Sequence, residues 1–396
     1  MRLSYVIVTH NRRDALVRTL LILPTVTPLP ADQYEIWVVD NGSTDGTGDL
    51  LRREFPHIRL MERPANEGAA ARSHAFGPSR GQYLILLDDD SYPIDSTVAD
   101  SLAYMDTHRR SAALVGKVLL PDGKLEACAM PAVMLSGAVC LRRAALEQVG
   151  PFRPEFFRKA GEYDLSFRLW QAGWSVDRFE DVVYRHDKVM TGRSSDEAHF
   201  MDLRNNLILI ERYLPRPMRQ AYRKDWLRRY ARIAHAAGCD AAISRAVAEA
   251  RQWARRERET GRQILGESCL ETLFEWQRQR RAVAAWARRL AIGTVAIADY
   301  SKTIYATWRA ARLAGLQIRV IADNGRAFAG EHYRSVPIAP DPAALSAQVD
   351  GVILSNINPA QIDDRLQSLS RHFDGPILRL WHPRLLSESM TTQAAG

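Results

Sequence analysis

Short apolar runs that break off into polar, turn-forming clusters set the pattern of the first part of the chain. Tyr5-Val6-Ile7-Val8 gives way to Thr9-His10-Asn11-Arg12, and Glu35-Ile36-Trp37-Val38-Val39 to Asp40-Asn41-Gly42-Ser43-Thr44-Asp45-Gly46-Thr47. A third run, Tyr83-Leu84-Ile85-Leu86-Leu87, ends in Asp88-Asp89-Asp90. Runs of this length and composition suit strands buried in a parallel sheet. Between the first two, Asp14 to Leu23 has helical character. The resulting βαβ rhythm predicts the α/β class with a doubly wound, mostly parallel sheet. All three strands then end on one edge, the carboxyl edge at which open α/β sheets take their ligands.

The acids give that edge a chemistry. Magnesium takes one or two protein carboxylates and completes its shell with phosphate oxygens and water, so an Asp-x-Asp such as Asp88 and Asp90 is enough when the ligand is a diphosphate. The same triplet is also compatible with an acidic surface turn.

Four segments narrow the choice. Thr9-His10-Asn11-Arg12, Val39-Asp40-Asn41-Gly42-Ser43-Thr44-Asp45-Gly46-Thr47, Asn66-Glu67-Gly68-Ala69-Ala70-Ala71-Arg72 and Leu87-Asp88-Asp89-Asp90 follow in the order and spacing that resembles family 2 glycosyltransferases of the GT-A fold. The likeness continues through Ser136-Gly137-Ala138, Val149-Gly150-Pro151-Phe152 and Glu162-Tyr163-Asp164-Leu165 to Arg204-Asn205, covering residues 1 to 215. It implies a donor pocket bordered by Thr9, Arg12, Asp40, Asn66, Gly68, Arg72, Asp88 and Asp89, with Mg2+ or Mn2+ on Asp88 and Asp90. Asp40 would bind the base or ribose, and its carboxylate also suits an Asx turn with Asn41-Gly42. Gly68 allows close backbone approach, and Arg72 offers a fork of donors. His74 stands where the family often has Asn, and reads as structural.

The resemblance also implies the catalytic acids. Glu162 occupies the position of the general base that accepts the acceptor hydroxyl proton. Asp164 is the second catalytic candidate, and it equally suits orienting or capping of the helix that starts there. Gly161 replaces the first acid of the commoner Glu-Asp-x-Asp-Leu pattern. His186, after the strand-like Val182-Val183-Tyr184-Arg185, is a candidate third metal ligand. Arg193 reads as part of a loop that closes over the diphosphate. The Arg204-Asn205 pair reads equally as a tie between the last helix and the sheet.

Composition adds limits. The 396 residues, 46% hydrophobic, are enough for two or three domains. Neither a signal-peptide pattern nor a membrane-spanning run is evident, and the four scattered cysteines suit a reducing compartment, so the expected location is the cytoplasm. Residues 216–290 read as an Arg-rich helical region, with Trp226, Trp253 and Trp286 among the arginines that account for much of the +8 charge. Such helices suit peripheral contact with anionic lipid at the inner face of a membrane, or with a phosphorylated acceptor. They suit solvated faces of packed helices equally. No nucleic-acid-binding motif accompanies the charge.

Residues 291–386 restart the α/β rhythm with Val295-Ala296-Ile297-Ala298, Ile318 to Ala322 and Gly351 to Ser355, a helix from Thr303 to Ala314 and a stop at Gly315. They predict a small Rossmann-like domain without the Gly-x-Gly-x-x-Gly turn, and residues 387–396 a flexible tail. Taken together, the resemblance implies an inverting, metal-dependent glycosyltransferase in bacterial surface polysaccharide or lipid-linked glycan synthesis. Its donor would be UDP- or dTDP-linked and its acceptor a glycan or lipid-linked hydroxyl. A noncatalytic sugar-nucleotide-binding scaffold and a sugar nucleotidylyltransferase are the alternatives from other classes.

Overall fold

A computed structural model describes residues 1–188, 196–346 and 348–382. The chain divides into two compact units, Met1–Ala127 with Ala132–Thr191, and Cys128–Pro131 with Gly192–Gly396.

The first unit contains β1 (Leu3–Thr9), α1 (Arg13–Val26), β2 (Tyr34–Asp40), α2 (Thr47–Glu54), β3 (Arg59–Glu62), a 3-10 helix (Gly68–Ala75), β4 (Tyr83–Asp88), β5 (Ser91–Pro93), α3 (Thr97–Thr107), β6 (Ser111–Leu119), β7 (Ala138–Arg142), α4 (Arg143–Val149), α5 (Gly161–Gln171) and β8 (Ser175–His186). Each apolar run expected to be a strand is one. The run from Tyr83 to Leu87 has no exposed surface at all. Helix α1 buries Leu16, Thr19, Leu20 and Leu23, the spacing of one helical face.

The eight strands form one sheet in the order β3-β2-β1-β4-β7-β6-β8-β5. Central β1 pairs in parallel with β2 and with β4, and the registers set Thr9 opposite Asp40 and Val8 opposite Asp88. The polar ends of the three strands therefore lie side by side. Parallel pairings are the majority, but β7 runs against both β4 and β6, and β5 against β8. The β5 pairing sets Ser91 opposite His186, which carries the end of β8 to the acidic triplet. Sequence pattern did not announce β5 or β7, because three to five residues are too few to show a period.

The second unit opens with five helices, α6 (Asp196–Tyr213), α7 (Arg216–Ala236), α8 (Asp240–Thr260), α9 (Glu267–Phe274) and α10 (Trp276–Leu290). There follow β9 (Thr294–Ala298), α11 (Ile304–Leu313), β10 (Gln317–Ala322), β11 (His332–Tyr333), β12 (Val336–Ala339), α12 (Asp341–Leu345), β13 (Gly351–Leu354), α13 (Ile362–Ser370) and β14 (Ile377–Arg379). Their sheet has the order β11-β12-β10-β9-β13-β14, all parallel except the β11–β12 hairpin. Val283, Trp286 and Ala287 of α10 join the core of this sheet, together with Val295, Val352 and Ile353. Trp226 and Trp286 are buried, so neither is available to a lipid surface. Among the described residues, no helix is long and apolar enough to cross a membrane.

Candidate active site

The site grows from the carboxyl edge of the first unit's sheet. Asp88 ends β4, and its backbone N–H donates to Ser91 Oγ at 2.8 Å and to Gly137 O at 3.3 Å. These bonds fix the backbone where β4 turns into the triplet. Asp88 stays two-fifths exposed, while the side chains of Asp90 and His186 are 1% and 11% exposed. One ligand atom from each of Asp88, Asp90 and His186 lies within 4.8 Å of the others.

This trio fits a divalent cation. Two carboxylates and an imidazole form a donor set that magnesium or manganese accepts. Asp90 Oδ1 is buried, lies 3.1 Å from His186 Nε2 and has no partner aligned for a hydrogen bond. In the metal-free protein this oxygen faces the imidazole without an aligned hydrogen bond, and a divalent cation would bind it directly.

The surrounding charges are tightly organised. Arg12 Nη2 donates to Asp90 Oδ2 at 2.5 Å, and its Nη1 lies 3.3 Å from Asp89 Oδ1. Thr9 Oγ1 donates to Asp89 Oδ2 at 2.9 Å. Burial pushes the Asp89 carboxyl up to about 7, with Arg12 and Thr9 working against it. Burial also opposes the charge on Asp90, but His186 and Arg12 outweigh it and hold that carboxyl down at about 2. For His186 the same balance runs the other way: burial favours the neutral ring, yet Asp90 and Glu126 raise it to about 9.

His186 is oriented from behind. Its Nδ1 lies 2.7 Å from Glu126 Oε2, and Lys188 pairs with the other oxygen of Glu126. With Nδ1 engaged in this way, Nε2 is the nitrogen that faces Asp90. Neither Glu126 nor Lys188 sits in a recognisable motif, and nothing in the linear sequence singles out either one.

Arg72 is almost fully buried and joins three segments. Its Nε donates to Ala69 O at 3.1 Å, its Nη1 to Ser136 O, and its Nη2 to Asp88 Oδ1 at 2.8 Å. The loop before β7 approaches so closely that a Cβ on Gly137 would lie 2.4 Å from Asp88 Oδ2. Gly68, at φ +70°, is needed for a second close approach: a Cβ there would lie 2.0 Å from Phe157 O, the oxygen that accepts from Ala69 N at 2.8 Å.

Asp40 caps its own turn, accepting from Ser43 N at 3.0 Å, and is 3% exposed. Asn66 is fixed by its neighbour Asn41, whose Nδ2 donates to Asn66 Oδ1 at 2.9 Å and to Gly68 O at 3.0 Å. Asn41 thus links the β2 turn to the Asn66–Gly68 segment, a role its place in a turn motif did not reveal. His74 lies 2.7 Å from Glu67 Oε2.

Glu162 and Asp164 both lie in the first turn of α5, preceded by Lys159 and Ala160 at φ +67° and +65°. Two successive non-glycine residues in the left-handed region carry strain, of the kind that collects at functional sites. Asp164 is fully enclosed and accepts from Arg168 Nε at 2.9 Å, whose Nη1 donates to Val149 O at 2.6 Å. It fastens α5 to the end of α4. Glu162 is half-buried at the start of the helix. In the second unit, Arg204 pairs with Glu249 of α8 at 2.9 Å. Arg193 and the 387–396 tail lie outside the described residues.

Residues 4–125 match Glycosyl transferase family 2, and the chain carries a domain of that family there. A poly(ribitol-phosphate) beta-glucosyltransferase of Bacillus spizizenii is 33% identical over 97 residues, which are 23% of this chain and 15% of that protein. AglE, a glycosyltransferase of Haloferax volcanii, is 25% identical over 204 residues, 46% of this chain and 66% of its own. An N-acetylglucosaminyl-diphospho-decaprenol L-rhamnosyltransferase of Mycobacterium tuberculosis is 28% identical over 242 residues, 48% of this chain and 78% of the other. The chain therefore spans less than two thirds of the first two of these relatives. Among solved structures, S. aureus TarS 1-349 aligns with 84% of this chain and 97% of its own, at 16% identity and a TM-score of 0.48.

Proposed function

We propose that the chain is an inverting, metal-dependent glycosyltransferase that moves a sugar from a UDP- or dTDP-linked donor to a hydroxyl acceptor. The observation that carries this reading is the meeting of Asp88, Asp90 and His186 within 4.8 Å at the sheet edge inside the family 2 segment. Asp88, Asp90 and neutral His186 would hold the ion. When bound, Mg2+ or Mn2+ supplies positive charge to the leaving diphosphate.

The remaining steps belong to the chain's own side chains. Arg12, already poised on Asp89 and Asp90, exchanges part of that pairing for donor phosphate oxygens. Thr9, Asp40, Asn66 and Gly68 shape the nucleotide side of the pocket, and Arg72 holds Asp88 in place. The acceptor oxygen attacks the anomeric carbon as the bond to the diphosphate oxygen breaks. The acceptor proton passes to the Glu162 carboxylate, and Asp164 positions the helix that presents it. Acceptors in surface polysaccharide or lipid-linked glycan synthesis agree with what the relatives' names state of those proteins. A cytoplasmic place beside anionic lipid rests on exposed Arg223, Arg251 and Arg255 rather than on tryptophan.

Release of nucleoside diphosphate from a panel of UDP- and dTDP-sugars, with and without Mn2+, tests the proposal. Turnover should need the metal, and Glu162→Gln should retain donor affinity while losing about a hundredfold or more in rate. Binding without turnover by any panel member would favour the scaffold, and consumption of pyrophosphate the nucleotidylyltransferase.

A further inference from the structure

The second unit contains a cavity of about 250 Å3 lined by Lys224, Asp225 and Arg228 of α7 and by Tyr333, Arg334 and Ser335 of the β11–β12 turn. We infer that it is a binding site for a phosphate ester or free phosphate, separate from the site on the first unit's sheet and independent of the transferase reading.

Charge is the first argument. Among the described residues that line the cavity, Lys224, Arg228 and Arg334 are cationic and Asp225 is the one carboxylate, paired with Arg334. Arg228 and Arg232 share Glu331 at 2.7 and 2.6 Å. The excess of two positive charges matches a phosphate dianion, since a buried or half-buried cation group gains most from a ligand that neutralises it.

Preorganisation is the second. Arg334 Nη2 donates to both oxygens of Asp225 at 3.0 Å, and Tyr333 OH donates to Asp225 Oδ2 at 2.7 Å. The same guanidinium packs on Tyr305, Trp308 and Tyr333, with ring centroids 4.8, 5.0 and 5.4 Å away. Asp225 is thereby committed to the wall of the cavity and Arg334 is locked before any ligand arrives, which removes an entropy cost from binding. Lys224 and the Ser335 hydroxyl, both exposed, complete the mouth with further donors.

Size is the third. Water occupies about 30 Å3 in the liquid, so the cavity admits a phosphate together with part of an organic substituent. Arg334 and Ser335 are both left-handed, at φ +48° and +72°, which defines the tight turn that aims them at α7.

The test uses the full-length protein and titrates inorganic phosphate and, separately, glycerol 3-phosphate at constant ionic strength, followed by 31P NMR line broadening. Both probes should bind saturably to the wild type. Lys224→Glu and Ser335→Asp should each weaken binding at least about tenfold, the scale of one lost charge-assisted contact. Ser335→Asn, which keeps the left-handed preference and adds no charge, should stay within about threefold of wild type. Binding of glycerol 3-phosphate alone would assign the site to esters, and equal binding of both to the phosphate group itself. Equal affinities in the wild type, Lys224→Glu and Ser335→Asp would place any bound phosphate elsewhere and overturn the inference. So would the absence of saturable binding in the wild type. Both charge-altered side chains are exposed, and unchanged melting in chloride confirms that the fold is retained.

Discussion

At the scale of single residues, the candidate site depends on groups that stand behind the ligands. Glu126 holds His186 Nδ1 at 2.7 Å and so fixes which ring nitrogen faces Asp90. Glu126→Gln should weaken Mn2+ binding about 10- to 100-fold by calorimetry, the usual cost of losing such a supporting group. Equal Mn2+ affinity in the variant would remove Glu126 from the site. His186 also predicts a pH dependence for the metal-free protein. Its folded pKa of about 9 lies above the ordinary 6.5, so its contribution is fully present below pH 6.5 and is lost as pH rises through about 9. The chelator-treated protein should therefore melt progressively lower between pH 6.5 and 9, and His186→Asn should flatten that slope. A variant with the same slope as wild type would show that another group titrates there. Asp89, raised to about 7 by burial, acts in the same direction over a lower range and is common to both proteins, so the difference between them isolates His186.

At the scale of elements, strand registers and two glycines assemble the site. The runs that became β1, β2 and β4 were legible because buried parallel strands are apolar on both faces. Their carboxyl ends, and therefore Thr9, Asp40 and Asp88, were legible with them. The approach of the 3-10 helix to the segment before α5 was not, since it depends on Gly68 lying against Phe157 O. Gly68→Ala introduces a Cβ 2.0 Å from a backbone oxygen at a positive φ, so relief requires the two segments to separate. The cost should exceed the roughly 1 kcal/mol of a simple left-handed Gly→Ala change. Thermal unfolding should show that loss, and donor binding should fall with it, because Asn66 and Arg72 flank the displaced residue. Normal donor affinity in a clearly destabilised variant would mean that the 3-10 helix supports the fold without shaping the pocket.

At the scale of the whole molecule, the place where the chain is cut should decide whether the first unit survives alone. Helix α6 buries Leu203, Leu207, Ile208, Leu209 and Ile210, and it belongs to the second compact unit. A protein ending at Pro215 keeps α6 without α7 and α8 and should aggregate. One ending at Thr191 should remain monomeric by light scattering and bind nucleotide, since Thr9, Arg12, Asp40, Asn66, Arg72, Asp88, Asp90 and His186 all precede the cut. The opposite pattern would place α6 in the first folding unit. By itself the sequence determined the α/β class, the carboxyl-edge location of the acids and the Arg-rich helices, because these follow from short-range hydrophobic period and from motif order. Only tertiary structure decided that His186 meets Asp90 through the β5–β8 pairing and that Glu126 supports it, 60 residues away in sequence. It also decided that Trp226 and Trp286 are core residues and that Arg334 is locked against Asp225. Long-range pairing and burial depend on how separate segments pack in three dimensions, and no local pattern of residues encodes that.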